Sequence, residues 1–356
     1  MQDTQFIKGM DLSMLQYIED HGVQYKEAGK AKDALVIFQD HGINSVHLRL
    51  FVNPDGKAGQ VNILPYTLKL AKRVKQAGLK FLLDFHYSDE WADPGHQTIP
   101  AAWKSLSHSD LVAQVFTYTR DTLAAFQEED CLPDMVQVSN EITNGMMWPA
   151  SGPISDAATW NDITSQMAWP EGADHPNTPW DALADFVNAG IRGVHAGDPQ
   201  KTIKIMVHVD KGGNQEVCWH FFDHLQRREV QFDVIGLSYY PFWHGTLTDL
   251  KDNLAFLAAA YGKGIIVVET GYDWNGGEQG TLPFPMTPDG QKAFLEDLIR
   301  TVADTPGGHG QGVVYWAPEW IMGPKWDGAD WSKTWENRAL FDETGNMLPG
   351  LEAFAQ

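Results

Sequence analysis

Strand-like and helix-like segments alternate about eight times along this chain of 356 residues. The strand-like segments are short apolar runs, which are typical of parallel strands covered on both faces. The helix-like segments have apolar residues three and four positions apart, which is typical of helices with one buried side. No Pro-rich or Ser-rich linker and no fixed-period repeat separates two halves of the chain. The pattern predicts an α/β protein, a (β/α)8 TIM barrel in which residues 1–356 form a single domain.

The prediction consists of eight strands and seven helices. The strands are expected at Phe6–Met10, Ser45–Phe51, Lys80–Phe85, Met135–Ser139, Thr202–Val209, Val234–Tyr239, Gly264–Glu269 and Val313–Trp316. The helices are expected at Ala31–His41, Tyr66–Ala77, Asp110–Glu128, Asp181–His195, Val217–Arg228, Thr248–Tyr261 and Pro288–Ala303. Gly42, Gly78 and Gly262 come just after three of these helices, where a glycine commonly ends the last turn.

The segments that leave strands three, four, seven and eight are long and rich in Trp, Gly and Pro. They span residues 87–107, 141–179, 270–287 and 317–348. In a barrel such outgoing loops lie together at one end, where binding sites are built. The chain has 14 tryptophans, many of them in these loops, and exposed aromatic faces suit the C–H faces of sugar rings.

Charge and composition exclude several classes of partner. The chain has 26 Lys and Arg against 47 Asp and Glu, and a net charge of -21 repels a nucleic acid backbone. No apolar run is long enough for a membrane span, and residues 1–6 lack the pattern of a secretory signal, which leaves the compartment undecided. The two cysteines, Cys131 and Cys218, are too few for a disulfide framework or a cysteine-based zinc site, and we expect them to be unpaired.

Polar or aromatic side chains stand at the C-terminal tips of almost all predicted strands. A carboxylate at the end of a buried apolar strand is costly unless it has a use, and a barrel brings all tips to one mouth. For any single residue a structural role is the simpler interpretation, but the joint occurrence at the tips indicates an active site. The tip residues are Arg49, Asp84, His86, Asn140, Glu141, His208, Asp210, Tyr239, Tyr240, Glu269 and Trp316.

Two of these tip residues, Glu141 and Glu269, have the chemistry for cleaving a glycosidic bond. Retaining hydrolysis needs one protonated carboxyl group and one carboxylate about 5 Å apart, and we predict that Glu141 and Glu269 form this pair. Asn140 can then bind the sugar 2-hydroxyl, a contact that strengthens in the transition state. Trp316 is predicted to form the floor of the subsite for the sugar under attack.

Neighbouring tips are expected to set the protonation of the pair. Arg49, with Tyr239 or Tyr240, is predicted to keep Glu269 ionised and oriented by lowering its pKa. His208 is predicted to help Glu141 stay protonated until the glycosylation step.

The same residues carry a resemblance to a known family. Asn140 with Glu141, and Glu269, resemble the clan of retaining glycosidases with catalytic glutamates after strands four and seven. A closer similarity, from Phe6 to about Phe354, is to glycoside hydrolase family 53, the arabinogalactan endo-β-1,4-galactanases. The segments that carry it are Lys8–Ser13, His41–Val46, Asp84–Asp89 with Trp91–Pro94, Ser139–Gly145, Gly236–Gly245 and Val268–Thr270.

The resemblance implies an enzyme that cuts internal β-1,4 bonds between galactose units of type I arabinogalactan, with retention of configuration. It implies that Glu141 is the acid/base and Glu269 the nucleophile. The predicted sugar-binding residues, taken from the tips and from the motif segments, are Arg49, His86, Asp89, Trp91, Asp93, Asn140, His208, Tyr239, Tyr240, Trp243, His244 and Trp316. Further candidate stacking platforms are Trp103, Trp148, Trp320 and Trp326, although packing explains Trp103 and Trp335 equally well. For Asp89 and Asp93 the alternative role is to cap the turn at Pro94, and hydroxyl binding is favoured.

The chain departs from the family pattern at two places. Some bacterial members hold calcium in the loop after strand seven, whereas here residues 270–287 offer Asp273, Asn275 and Glu278, so calcium is not favoured and no cofactor or metal is predicted. Lys211 stands where the resemblance implies an asparagine. The predicted partner is β-1,4-galactan, the predicted location is extracellular, cell-surface or periplasmic, and a monomer is the default.

Three other interpretations remain open from the sequence. Another retaining enzyme of the clan, acting on β-1,4-mannan or β-1,4-glucan, would keep both glutamates and change the hydroxyl contacts. A metal-dependent barrel hydrolase is suggested by His47, His86 and His208, but Asp11 and Ser13 stand where such sites usually have paired histidines. A barrel that binds galactan without cutting it would not need both Glu141 and Glu269.

Overall fold

A closed barrel of eight parallel strands forms the centre of the molecule, and each strand pairs with the next in sequence until the last pairs with the first. The computed structural model describes residues 5–57, 59–148, 179–276, 282–321 and 336–355. The barrel strands are β1 (Ile7–Asp11), β2 (Ser45–Leu50), β3 (Lys80–Phe85), β4 (Met135–Val138), β5 (Lys204–Val209), β6 (Val234–Ser238), β7 (Gly264–Glu269) and β8 (Gly310–Tyr315). The predicted (β/α)8 barrel is confirmed, with β8 starting at Gly310 rather than at Val313.

Within the described ranges, seven helices connect consecutive strands, as predicted, and a shorter one lies in the loop after β1. They are α1 (Leu15–Asp20), α2 (Ala34–Asp40), α3 (Leu64–Gln76), α4 (His108–Glu128), α5 (Pro179–Gly197), α6 (Gln215–Arg227), α7 (Leu247–Tyr261) and α8 (Pro288–Ala303). After β8 the 3-10 segment Pro349–Ala355 takes the place of another helix. It is tied to the first strand because Lys8 Nζ donates to the carbonyl oxygen of Phe354 at 2.8 Å.

Local sequence signals set the ends of several helices. Asp33 precedes α2 and accepts a hydrogen bond from the Leu35 amide at 2.8 Å. Thr246 and Asp249 form a reciprocal capping box at the start of α7, an arrangement that contributes about 1 kcal/mol per cap. Gly262 ends the same helix in the left-handed conformation, with φ 60°. These caps fix where each helix begins and ends, and therefore the lengths of the loops at the barrel mouth.

The barrel interior changes from apolar to polar along each strand. Side chains two residues apart on a strand share a face, so one interior face can be read from the sequence. Leu82 and Met206 belong to an apolar cluster in the interior, and two residues further on the same faces carry buried Asp84 and His208. A much larger apolar core lies between the strands and the helices. The polar residues at the C-terminal ends of the strands therefore rest on a tightly packed apolar interior.

An irregularity in β7 aims one glutamate into the mouth. Ile266 and Val268 both contribute to the interior cluster, so strict alternation would turn Glu269 outward. The register between β6 and β7 shifts after Leu237, and Glu269 comes to lie opposite Ser238. Such a bulge re-aims the side chain that follows it.

Two further expectations concern the cysteines and membranes. Cys131 and Cys218 are both buried and free, as predicted. Within the described ranges, none of the helices combines the length and apolar character that crossing a membrane requires.

Candidate active site

A cavity of about 560 Å³ opens at the C-terminal ends of the strands. It is where a barrel of this kind places its binding residues, because all strand tips converge there. Eleven of the predicted site residues line it. They are Arg49, His86, Trp91, Asp93, Asn140, Glu141, Tyr240, Trp243, His244, Glu269 and Trp316.

Glu141 and Glu269 are brought together in this cavity, since a carboxylate oxygen of one lies within 4.8 Å of a carboxylate oxygen of the other. Glu141 comes from the turn after β4 and Glu269 from the end of β7. Retaining glycosidases hold their carboxyl groups about 5 to 5.5 Å apart, whereas inverting ones leave about 6.5 to 9.5 Å for a water molecule. The separation falls on the retaining side.

Glu141 is held in an unusual backbone conformation. Its φ and ψ are 47° and 50°, in the left-handed region, and Ser139 two residues before it has φ 68°. Residues without a glycine's freedom adopt this region rarely and at a cost of about 1 kcal/mol or more. The main-chain N–H of Glu141 donates to His208 Nδ1 at 3.3 Å, and the Ser238 hydroxyl donates to Glu141 Oε1 at 2.5 Å. Neighbouring strands thus fix both its backbone and its carboxyl group.

His208 supports Glu141 from beneath the cavity and does not line it. Burial, and then the nearby histidines, hold the pKa of His208 well below its usual range, so the ring is neutral. Since Ser238 donates to Glu141, His208 Nε2 is the donor to Ser238 Oγ at 2.9 Å, and Nδ1 is left to accept from Glu141. Asn140 Oδ1 and His208 Nδ1 both contact the Gln137 amide nitrogen, at 2.9 and 3.1 Å.

The pKa of Glu141 is raised well above the usual range for a glutamate. Burial is the largest cause, followed by the negative charges of Glu269 and Asp210, while the hydrogen bond from Ser238 acts in the opposite direction. A carboxyl group with a raised pKa keeps its proton near neutral pH and can deliver it to a leaving group. The environment therefore suits the predicted role of Glu141 as an acid.

The surroundings of Glu269 differ from the prediction in one respect. The Tyr240 hydroxyl donates to Glu269 Oε1 at 2.7 Å and, with His47, lowers the pKa of Glu269, but burial outweighs both and raises the pKa to about 7. The predicted lowering by Tyr240 is confirmed, but the prediction that it leaves Glu269 with a low pKa is wrong because the carboxylate is desolvated more strongly than its partners compensate. Burial and the charge of Glu269 together make Glu141 the group that holds the shared proton.

Arg49 contacts groups other than Glu269. Its Nη2 lies 3.5 Å from Asp11 Oδ1, and its guanidinium carbon lies 4.5 Å from the centre of the Trp91 ring. Its Nε and Nη2 are buried without a hydrogen-bond partner among the described residues. Arg49 thus presents buried donors at the cavity and is braced by an acid and a tryptophan.

Four buried polar residues at the tips of β1 to β3 form a network. Sequence reasoning assigned His86 to sugar binding and counted Asp84 among the tip residues, but it did not assign Asp11 or His47 to the site. His47 Nδ1 lies 2.9 Å from Asp11 Oδ2, and its Nε2 lies 3.7 Å from Asp84 Oδ2. His86 Nε2 lies 3.1 Å from the same Asp84 oxygen. Although burial lowers the pKa of His47, the charge and hydrogen bond of Asp11 raise it overall. All four line the cavity. Polar residues at alternate positions near the ends of β2 and β3 are the sequence signal that could have identified the network.

Three predicted site residues lie outside the cavity lining. Asp89 accepts hydrogen bonds from the amides of Asn53 and Ala101 at 2.9 and 2.8 Å, which fixes two loops. Tyr239 is fully buried, and its hydroxyl donates to the carbonyl oxygen of Gly245 at 3.0 Å. These two residues are scaffold rather than sugar contacts, because their polar atoms are already engaged away from the cavity. His208, the third, acts through Glu141 as described above.

Aromatic side chains frame the cavity. Trp91, Trp316 and Trp320 contact one another, with ring centres 5.6 to 6.5 Å apart. Trp243 is half exposed and its ring centre lies 5.2 Å from that of Tyr240. Trp103 and Trp148 are 6% and 4% exposed and pack loops, so they are not platforms. Trp326 and Trp335 lie outside the described residues.

A comparison with protein families identifies this architecture. A family model described as Glycosyl hydrolase family 53 matches residues 7–354. The chain belongs to glycosyl hydrolase family 53. The relation predicted from the motifs is confirmed, and the family 53 protein described here is a glycoside hydrolase.

Similar proteins match most or nearly all of the family 53 chain. A protein from the bgaB 5′ region of Niallia circulans is 41% identical over 99% of this chain and 94% of its own. A probable arabinogalactan endo-β-1,4-galactanase A of Aspergillus terreus is 38% identical over 88% of this chain and 85% of its own. The solved family 53 catalytic domain of Ignisphaera aggregans is 34% identical with a TM-score of 0.83, covering 99% of this chain and 96% of that one. The similarity extends through the barrel and its loops.

The loop after β7 corresponds to the calcium-binding loop of some bacterial members of family 53. Asp273 is buried and its Oδ1 accepts a hydrogen bond from Arg338 Nε at 2.8 Å, so this carboxylate is already neutralised by a cation. Glu278 lies outside the described residues. The expectation that no metal or cofactor is needed stays a prediction.

Glu141, His208 and Glu269 are close enough to be considered as a metal site in this family 53 chain. Both ring nitrogens of His208 already have hydrogen-bond partners. Ser238 and Tyr240 each donate to one of the two carboxyl groups. These contacts account for the proximity of the three residues, so we assign no metal to them.

Proposed function

We propose that the protein is an endo-β-1,4-galactanase that hydrolyses type I arabinogalactan by double displacement, with retention of configuration. The observation that carries the proposal is the pair of carboxyl groups within 4.8 Å of each other at the mouth of a family 53 barrel. Their different surroundings give them different roles. Glu141 acts as the acid/base and Glu269 as the nucleophile.

In the first step Glu269 attacks the anomeric carbon, and the bond to the leaving sugar breaks. Glu141 gives its proton to the departing oxygen, so a covalent glycosyl enzyme and a shortened chain result. In the second step Glu141, now a carboxylate, takes a proton from water, whose oxygen attacks the anomeric carbon and releases Glu269. The raised pKa of Glu141 supports the first step, and the hydrogen bond from Tyr240 orients Glu269 for both.

Polymeric galactan is the substrate that the surroundings of the pair favour. Aromatic side chains reach the cavity from the loops after β3, β6 and β8, so they surround the glutamates on several sides. Contacts with more than one sugar residue, which an endo-acting enzyme needs, can form on these rings. The Aspergillus terreus relative is described as a probable enzyme of this specificity. A polysaccharide does not cross a membrane, so the enzyme acts outside the cytoplasm, in the periplasm, at the cell surface or in the medium. For its oligomeric state we propose the default, a monomer.

The test is the initial rate of reducing-end release from potato galactan, β-1,4-mannan and carboxymethylcellulose. We expect a clear preference for galactan, and a preference for mannan or cellulose would point to the alternative enzymes of the same clan. Proton NMR of the first product formed should show the β-anomer, as retention requires, and initial release of the α-anomer would contradict the mechanism. EDTA should leave the rate unchanged, whereas loss restored by zinc would favour the metal-dependent alternative.

Binding and cleavage can be separated with the same substrate. Glu269→Gln should keep its affinity for galactan in an electrophoretic mobility assay while losing turnover. A wild-type protein that binds galactan and releases no reducing ends would instead be the non-catalytic barrel.

A further inference from the structure

An ion pair stands directly after β5, beside the proposed acid. Lys211 Nζ lies 2.6 Å from Asp210 Oδ2. The Asp210 side chain is 3% exposed and that of Lys211 is 38% exposed, and both residues line the cavity. Neither residue makes or breaks a bond in the proposed mechanism, and Lys211 has no role in it. Lys211 is also the position at which the chain departs from the asparagine that its motif implies.

Asp210 is fixed against the turn that carries Glu141. The Thr143 hydroxyl donates to Asp210 Oδ1, and the Asp210 amide donates to Thr143 Oγ at 3.0 Å. Thr143 lies in the 3-10 turn Ile142–Asn144, which begins with Glu141 as its N-cap. The buried carboxylate of Asp210 therefore has a set position relative to Glu141, and its charge is poorly screened by water.

We infer that the Asp210–Lys211 pair tunes the pH above which Glu141 loses its catalytic proton. The inference rests on the proposed role of Glu141 as the acid. The negative charge of Asp210 opposes ionisation of Glu141, and the ammonium group of Lys211 partly cancels that charge. Lys211 acts through Asp210, which holds the long, half-exposed side chain in place, so it is a positioning residue rather than a catalytic one.

The other groups that face Glu141 do not perform this cancellation. Glu269 on β7 and Asp93 after β3 carry negative charge and act in the same direction as Asp210. Burial lowers the pKa of His208 and of His244, the latter to about 4, and raises the pKa of Tyr240, so all three are neutral. Among cavity-lining residues that the structure describes, Arg49 is the other permanent cation, and it lies beside Asp11 on the β1 and β2 side.

The experiment is the pH profile of kcat/KM on galactan for the wild type, Lys211→Met, Asp210→Asn and the double variant. In Lys211→Met the uncompensated Asp210 charge should raise the pKa of Glu141, so the basic limb moves up by about 0.5 pH unit. In Asp210→Asn the basic limb should move down, because a negative neighbour is lost. The double variant should match Asp210→Asn, since Lys211 without Asp210 has nothing to hold it near Glu141.

Lys292→Met is the matched control, because Lys292 forms an ion pair of the same length, 2.6 Å, with Glu352 away from the cavity. It should leave the pH profile unchanged. An unchanged basic limb in Lys211→Met would overturn the inference, and a rise in KM alone would make Lys211 a sugar contact instead. Failure of the proposed function would look different, because the wild type would then not cut galactan or Glu141→Gln would keep its rate.

Discussion

Glu141 and Glu269 lie within 4.8 Å of each other, yet the chain holds them in opposite ways. Glu141 sits on a left-handed turn with its backbone bonded to His208 and its carboxyl bonded to Ser238. Glu269 ends a strand, where a one-residue register shift turns it into the mouth and Tyr240 donates to it. The first is fixed by its neighbours' polar atoms and the second by the geometry of the sheet.

This difference explains how two identical side chains take different roles. Both carboxyl groups lose hydration, which raises the pKa of each. Glu141 has Asp210 and Glu269 as negative neighbours, so it is the easier of the two to protonate. Glu269 receives a hydrogen bond from a neutral tyrosine, which stabilises its charged form. Burial therefore raises the pKa of both groups, and the charge of Glu269 adds to the rise at Glu141, whereas the hydrogen bond from Tyr240 is the largest of the effects that oppose the rise at Glu269.

Removing each carboxylate should give the largest effect and should separate the roles. We expect Glu269→Ala and Glu141→Ala each to reduce turnover of galactan by about 10⁴-fold or more. With a dinitrophenyl galactobioside, whose leaving group needs no proton, Glu141→Ala should still form the glycosyl enzyme and show a burst of dinitrophenol, while Glu269→Ala should show none. The measurement is stopped-flow absorbance of the released phenol, and a burst in Glu269→Ala alone would exchange the two assignments.

Removing the donor to the nucleophile should have a smaller effect. Tyr240→Phe loses the hydroxyl that bonds Glu269 Oε1, and we expect kcat/KM to fall by about 10²-fold. Because that bond lowers the pKa of Glu269, its loss should raise the pKa and move the acidic limb of the pH profile upward. Tyr239→Phe is the matched control, since its hydroxyl bonds Gly245 and not the pair. Equal losses in both variants would mean that Tyr240 contributes only to packing.

Removing the donor to the acid should have the smallest effect of the three. Ser238→Ala loses the hydroxyl that bonds Glu141 Oε1, and we expect kcat to fall by about tenfold because the carboxyl group loses its orientation. The same bond lowers the pKa of Glu141, so the basic limb should move upward. Ser139→Ala serves as the control, because Ser139 Oγ is buried without a hydrogen-bond partner in the described part of the chain. A basic limb that stays in place would show that Ser238 does not act on Glu141.

The barrel and the two glutamates could be predicted because their signals are local. Alternating apolar strands and amphipathic helices predict the topology, and an apolar run that ends in a carboxylate, as at Glu269, predicts a functional tip. Asn140 beside Glu141 added a second polar group at the same tip. Nothing about the spatial arrangement was needed for these steps.

The rest depends on geometry that residue order does not specify. Choosing Tyr240 over Tyr239 requires knowing that β6 ends at Ser238 and how the backbone turns after it. Asp89 looks like a sugar contact in its motif, but two distant amides occupy its oxygens. The direction of the pKa shift of Glu269 could not be predicted, because it depends on how the effect of burial compares with the hydrogen bond and charge that oppose it.

The left-handed turn at Glu141 also bears on how such a protein can be improved. A buried residue with an ionisable side chain and φ 47° is a poor choice for stability, and an asparagine or glycine would suit the backbone better. Selection for heat resistance alone would therefore tend to replace the acid that makes the enzyme active. Engineering of this barrel for thermal tolerance should keep the turn after β4 fixed and seek its gains at the opposite end, where the interior is apolar.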